Sequence, residues 1–308
     1  MLNGGPAAPK SRGDGPVAVA GKKGPNAMSL DAEALAHLPH VDAVFNYLAP
    51  TPGKPHTYAY DPPSGEPQTT ARWEPHRMPV HDARRIAADL SLDEVGLRLV
   101  AQRSAVRDFD DEDELRRVYY PEAERLVAAA TGAARVIVFD HTIRRRLAGV
   151  EDRTAGAPRQ PVPRVHNDYT EKSGPQRVRD LMGGEADALL RRRFSIVNVW
   201  RPIRGPLHDA PLAVCDARTA ADADFVTHDL VYRDRTGEIY AVRHNPRHRW
   251  LYVSAMQRDE ALLLKCYDSA RDVPARFAPH SAFEDPTAPA DKLPRECIEL
   301  RTIAFHSG

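Results

Sequence analysis

The sequence predicts a mainly β chain with helices (α+β), organised as a double-stranded β-helix, the cupin-like jelly-roll, with helical additions. Three observations carry this. Short β-rich runs, separated by turns, fill the chain from about residue 194 onward. One acidic-started helix precedes them, and a His-x-Asp strand pairs with a single remote histidine. Residues 1–28, rich in Gly, Pro, Ala and Lys without periodicity, read as a disordered tail, and 29–308 as one domain. Within it, 29–134 form a wrapping and helical part and 135–308 the jelly-roll core.

The elements follow in order. A short helix over 30–38 leads to an apolar stretch at 44–48 and a Pro/Gly-rich loop through Pro75. A short helical segment fits 84–90. Ser91 and Glu94 are spaced as a capping box, while Gly96 argues against a long helix there. Residues 111–130 form the clearest helix, with acidic residues at the positive end of its dipole, Pro121 expected to bend or divide it and Gly132 to stop it. A buried strand over 135–139 follows. After the His-x-Asp strand, a helix to Met182 is broken by Gly183-Gly184, and a second covers 185–193. Strands are expected over 194–200, 212–216, 225–232, 239–243, 250–254, 261–268 and 297–305, with 233–237 a hairpin loop.

Composition narrows the partners. Lysine plus arginine equals aspartate plus glutamate at 43 each, so net charge does not favour nucleic acid or acidic membranes. The basic runs 144–146 and 191–193 are short and read as solvated faces or anion contacts. No apolar run reaches the length of a membrane span. Three cysteines without paired spacing fit a reducing cytoplasm. A small-molecule substrate, with neither nucleic acid nor membrane, is the expectation, and the oligomeric state is left open.

The chemistry centres on His166 and Asp168 in Arg-Val-His-Asn-Asp-Tyr-Thr, with His280 far downstream. Side chains at i and i+2 of a strand point the same way, so His166 and Asp168 can meet one ion while Asn167 faces away. Two histidines and one carboxylate are the ligand set of a non-haem Fe(II) oxygenase, which leaves positions open for substrate and O₂. A polar loop beside a strand is the alternative, and His280 could equally be a turn histidine bonded to backbone. Other pairs are weaker. His244 and His248 have zinc-helix spacing, but Asn245-Pro246 breaks the helix. His228 and Asp229 are adjacent and face opposite sides of a strand.

The terminal strand places Arg295, Glu299 and Arg301 on one face, opposite Ile298, Leu300 and Ala304. Buried charge needs pairing, so Glu299 can satisfy one arginine and leave the other to fork onto a bound carboxylate. That carboxylate would be the far end of 2-oxoglutarate, whose oxidative decarboxylation supplies the oxidant that abstracts hydrogen from a substrate.

Seven segments in order then resemble the AsaB-type hydroxylase/desaturase family, also called CmcJ/NvfI-like: Val-Phe-Asp-His-Thr-Ile-Arg-Arg from Val138, Val-His-Asn-Asp-Tyr-Thr from Val165, Asn-Val-Trp-Arg-Pro from Asn198, Pro-Leu-Ala-Val-Cys-Asp from Pro211, Lys-Cys-Tyr-Asp-Ser from Lys265, Pro-His-Ser-Ala-Phe from Pro279, and Arg-Glu-Cys-Ile-Glu-Leu-Arg from Arg295. The resemblance implies an enzyme using Fe(II), 2-oxoglutarate and O₂ to hydroxylate, desaturate or cyclise a small secondary metabolite. It carries the ligand role onto His166, Asp168 and His280, and the oxoglutarate role onto Arg295 first and Arg301 second. Cys297 and Ser281 stand where related members often carry Ser and Thr. Asn198 and Trp200 are further cofactor-side candidates, with core packing as the alternative. Tyr169, Lys265 and Tyr267 are pocket candidates, whereas His141 and Arg144 fit a structural cluster at least as well. The competing functions are an inactive metal-binding partner of the same fold, an iron oxidase using O₂ without 2-oxoglutarate, and a zinc hydrolase with Glu171 or Glu284 as base.

Overall fold

The computed structural model describes residue 35 and residues 37–307. The tail and most of the helix expected over 30–38 lie outside the described residues. Among the described residues fourteen strands form two sheets, numbered in chain order. One contains β1 (His40–Leu48), β2 (His56–Tyr58), β3 (Trp73–Asp82), β6 (His166–Asn167), β8 (Leu212–Cys215), β9 (Phe225–Val231), β10 (Thr236–Val242), β11 (Trp250–Tyr252) and β13 (His280–Ala282). Their spatial order is β1-β3-β11-β8-β13-β6-β10-β9-β2. The other holds β4 (Leu97–Ala101), β5 (Arg135–Arg145), β7 (Phe194–Pro202), β12 (Glu260–Asp268) and β14 (Glu296–Phe305), ordered β4-β12-β7-β14-β5. Neighbours in the smaller sheet are all antiparallel.

The expected jelly-roll core is present, and its strands largely match those read from the sequence. Between the sheets, Trp200, Leu212, Val214, Leu262, Leu264, Ala278 and Cys297 pack in one buried cluster. A second cluster, including Leu263, Val199 and Leu300, lies on the outer face of the smaller sheet under the helix Tyr120–Thr131. That arrangement explains why β7 and β12 are buried at nearly every position: both faces are covered.

One expectation needs correction, and two others are met in a particular form. The stretch 40–101, read mostly as loop and helix, supplies four strands to the same two sheets. Pro75 and Pro79 interrupt the strand signal of β3, yet β11 pairs only with Val80–Asp82, so the proline-bearing stretch needs no amide on that side. The helix over 112–131 is divided by a π turn at Leu115–Tyr119, where the Tyr120 amide donates to the Leu115 carbonyl. Pro121 has no amide to close the ordinary α bond to Arg117, and the widened turn absorbs the gap. The segment over 84–90 is a 3-10 helix, Ala83–Asp89, entered through the Asp82 side chain bonding the Arg84 amide.

Gly96 joins the two sheets near the site. Its φ is +86°, and a Cβ there would stand 2.7 Å from the Cβ of Ala278, two residues before His280. The Gly96 carbonyl accepts from the Lys265 amide and the Lys265 carbonyl from the Ala278 amide, so the three segments are laced tightly. Gly96→Ala should therefore lower unfolding stability by about 2 kcal/mol or more, through left-handed strain plus overpacking, read from urea denaturation midpoints.

Candidate metal and co-substrate site

β6 and β13 are adjacent antiparallel strands, and their register sets His280 directly opposite His166. Their rings lie 4.4 Å apart between centroids. Asp168 follows β6 and brings Oδ1 to 3.5 Å from His166 Nε2 and 3.9 Å from His280 Nε2. All three ligand atoms fall within 4.8 Å of one another. Among the described residues this is the one such group of three.

The backbone sets which ring nitrogen faces the centre. Nδ1 of His166 lies 2.8 Å from the Arg164 carbonyl, and Nδ1 of His280 lies 3.0 Å from the Ala278 carbonyl. A carbonyl can only accept, so Nδ1 carries the proton and each Nε2 presents a lone pair inward. Burial, then the neighbouring His280, lowers the His166 pKa to about 4, which keeps that ring neutral near pH 7. Burial alone would raise the Asp168 carboxyl. Charge from His280, Arg301 and His166, with the Asn198 hydrogen bond, outweighs it and holds the group below the usual carboxylate range. Two imidazole lone pairs and one ionised carboxylate, mostly buried, form a donor set suited to a divalent transition metal.

Supporting residues fix Asp168. Asn198 Nδ2 donates to Asp168 Oδ2 at 2.6 Å, leaving Oδ1 toward the histidines. Arg301 Nε stands 4.0 Å from the same Oδ2. Asn167 faces away, as the alternation requires, and ties the site together from behind. Its Nδ2 donates to the Tyr169 and Cys266 carbonyls, and its Oδ1 accepts from the Ala278 amide. The sequence reading gave Asn167 no role; a polar residue between two ligand positions, on a strand covered on both faces, was the available signal.

The arginines separate in the structure. Arg301 pairs with Glu299 at 2.8 Å and with Asp140 at 3.0 Å. Arg144 pairs with the same Glu299 oxygen at 2.8 Å, so Glu299 serves two guanidiniums and its pKa falls to about 2 although burial opposes this. Arg295 is 2 % exposed and has no carboxylate at its guanidinium. Its Nη1 donates to the Ala210 carbonyl at 2.7 Å, its Nε lies 3.1 Å from Cys297 Sγ, and its Cζ lies 5.0 Å over the Trp200 ring. Trp200 Nε1 and Asn198 Oδ1 are buried without a hydrogen-bond partner among the described residues. A buried cation without a carboxylate and an unpaired indole N–H in one interior make a setting that a bound carboxylate would complete.

The remaining candidates fall elsewhere. Lys265 pairs across the sheet with Val197, one position out of step with Asn198, so it leaves the metal-facing side. Its ammonium is buried against Asp268 at 2.6 Å and against Asp93, with Arg193 joining the same carboxylates. It is a structural ion cluster, which corrects the pocket assignment. Tyr267 stacks on Phe194 with centroids 5.2 Å apart and packs against Gly174, where a Cβ would sit 2.7 Å from its ring. Its ring too is packing. Tyr169 is buried beside Asp168, among Val178, Ile196 and Cys266. His141 bonds Tyr120 Oη at 2.8 Å and faces Glu112, the structural cluster expected. His248 bridges Tyr47 Oη and Asp224. Glu171 and Glu284 are taken up by Arg276 and Arg146 respectively.

Comparison with known proteins agrees with this geometry. The family model described as an oxidoreductase/YMDC permease-like domain matches residues 45–305. The chain belongs to this family. No described helix is long and apolar enough to cross a membrane. The hydroxylase/desaturase efuI of Hormonema carpetanum is 34% identical over 262 residues, 77% of this chain and 86% of that protein. The Fe(II)/2-oxoglutarate-dependent dioxygenase nvfI of Aspergillus novofumigatus is 33% identical over 259 residues, 80% of this chain and 90% of its own length. The solved structure of the iron and alpha-ketoglutarate-dependent endoperoxidase NvfI superposes with a TM-score of 0.79 at 28% identity, covering 87% of this chain and 99% of that one. The hydroxylase/desaturase resemblance read from the seven motifs is thereby upheld.

Replacing Asn198 by Leu removes the donor that holds Asp168 Oδ2. Metal affinity in the Asn198→Leu protein should fall about ten- to a hundredfold, the usual cost of losing a residue that orients a ligand. Competitive titration against a chromogenic chelator measures it.

Proposed function

We propose that this chain is an Fe(II)/2-oxoglutarate-dependent oxygenase that acts by hydrogen abstraction on a small secondary metabolite, hydroxylating, desaturating or cyclising it. Residues 29–308 act as one oxygenase domain. The convergence of His166, Asp168 and His280 on one centre is the observation that carries the reading. The trio would hold the iron. Arg295 would take the far carboxylate of 2-oxoglutarate, because it is the buried arginine of the pair that Glu299 leaves without a carboxylate. When bound, iron and 2-oxoglutarate together activate O₂ and supply the oxidant for hydrogen abstraction.

The protein's own part is orientation and exclusion. His166 and His280 turn their Nε2 atoms toward the centre because their Nδ1 atoms are held by backbone carbonyls. Asn198 and Arg301 keep Asp168 ionised and aimed. Trp200 and the apolar residues around it shield the co-substrate side from water. With Glu171 and Glu284 engaged elsewhere, nothing positions either as the base a zinc hydrolase needs. The complete trio speaks against an inactive partner, which would gain nothing from three convergent donors. The three cysteines are free and buried, in keeping with work in a reducing cytoplasm.

Two measurements test the reading. Conversion of 2-oxoglutarate to succinate should require Fe(II) and O₂ and disappear in His166→Ala. Full turnover by the metal-stripped protein would reject it. Arg295→Met should raise the 2-oxoglutarate concentration for half-maximal rate about ten- to a hundredfold, from loss of a charge-assisted pair. Arg301→Met should instead weaken metal binding through Asp168, and the reverse pattern would exchange the two roles.

A further inference from the structure

The two histidines of the trio have different neighbours along the sheet. On the His280 side come β8 and the Arg295–Ala210 contact. On the His166 side come β10, β9 and β2, and here Trp73, at the start of β3, packs against His228 of β9, so that a second set of unpaired polar atoms collects. Trp73 Nε1, His228 Nδ1 and His56 Nε2 are buried with no hydrogen-bond partner among the described residues. Trp73 and His228 lie 6.4 Å apart between ring centroids, roughly stacked, and the Arg164 guanidinium stands 5.6 Å from the Trp73 ring centroid. Among the described residues no carboxylate pairs with Arg164. His228 is 2 % exposed, so its free nitrogen is not a surface group.

His228 shares a sheet face with the metal ligand. His166 pairs with Ala241, and Ala241 pairs with Val226. His228, two residues beyond Val226, therefore points to the same side. Ala241, Leu48 and Ala71, with Trp73 and Val226 against them, give this side an apolar wall. An apolar wall carrying a few convergent polar groups is the usual make-up of a small-molecule site.

We propose that Arg164, Trp73 and His228 form the subsite that orients the organic substrate, and that the group they take is the polar end of a hydroxy acid: a carboxylate toward Arg164 and a hydroxyl between Trp73 Nε1 and His228 Nδ1. The assignment rests on the oxygenase reading above, which makes the His166 side, away from Arg295, the side a substrate must reach.

The hydrogen-bond directions specify the hydroxyl. Thr69 Oγ1 donates its proton to the His56 carbonyl at 2.8 Å. In the 2.7 Å contact between Thr57 and Thr69 hydroxyls, Thr57 must therefore be the donor. With that proton used, Thr57 Oγ1 can only accept in its 2.8 Å contact with His228 Nε2. Nε2 thus carries the imidazole proton, and Nδ1 is a bare acceptor. Burial, then Arg164, pushes the His228 pKa down to about 4, in agreement with a neutral ring. An acceptor nitrogen near a donor-only indole fits a group that both gives and takes a hydrogen bond. A hydroxyl does both, whereas a carboxylate or a ketone cannot give one. The unpaired guanidinium beside them supplies the place for the anion.

The test uses the full chain, anaerobic and loaded with Fe(II) and 2-oxoglutarate, titrated calorimetrically with meta-hydroxybenzoate, benzoate and meta-hydroxybenzamide. This probe set presents the hydroxyl and the carboxylate together and then one at a time on the same rigid ring. Meta-hydroxybenzoate should bind about tenfold more tightly than either of the others, one hydrogen-bonded group apiece. Arg164→Met should erase its advantage over the amide, and His228→Phe or Trp73→Phe its advantage over benzoate. Trp73→Phe keeps the aromatic stacking, so it serves where His228→Phe fails to fold. Equal affinities for the three probes, an advantage that survives Arg164→Met and Trp73→Phe, or no binding of meta-hydroxybenzoate at millimolar concentration would overturn the assignment. Iron-dependent succinate formation by the unaltered chain reads the proposed reaction separately, so the two readings fail in different assays.

Discussion

One cross-strand pair, His166 opposite His280, is the constraint on which the rest of the site depends. Directly opposed residues on an antiparallel ladder bring their Cβ atoms within about 5 Å, close enough for both imidazoles to reach one centre. Strand register then does what no single side chain could do. A slip of one residue in either strand would turn its imidazole to the opposite face of the sheet, so the ligand set and the apolar packing stand or fall together. The segment before β13 is fixed accordingly: the Ala278 amide is held by Asn167, its carbonyl by His280, and its methyl lies against the Gly96 backbone.

Around that pair the protein places its charges unequally. Glu299 neutralises Arg144 and Arg301, and Arg301 and Asn198 in turn steady Asp168. A buried ion network of this kind stabilises little on balance, because desolvation offsets most of the attraction. Its effect is on the state of Asp168, which remains an anion inside an interior that would otherwise protonate it. Arg295 beyond His280 and Arg164 beyond His166 stand outside the network. The asymmetry divides the interior into two ends with the metal ligands between them.

Much of this was legible in the sequence because it rests on local periodicity. The His-x-Asp alternation, the face shared by Arg295, Glu299 and Arg301, the broken helix at Gly183-Gly184 and most strands of the second half follow from patterns of two or from turn residues. What escaped had physical reasons. β3 carries two prolines on a stretch that β11 leaves uncovered, so its composition reads as loop. Lys265 sits beside a register shift between Lys265 and Tyr267, and only the strand partner reveals which face it takes. Arg295 and Arg301 share a face and cannot be told apart until their carboxylate partners are located. His228 and Arg164 draw their significance from Trp73 and Thr57, residues far away in the chain.

The account is tested most directly by anaerobic titration of Fe(II) into the protein with 2-oxoglutarate present, following the weak visible band of the iron–oxo-acid chelate. Three donors converging on one cation predict a band that saturates at one iron per chain and is absent when His280 is replaced by Ala. A band of unchanged intensity in His280→Ala, or none in the unaltered protein, would contradict the convergence on which every other conclusion rests.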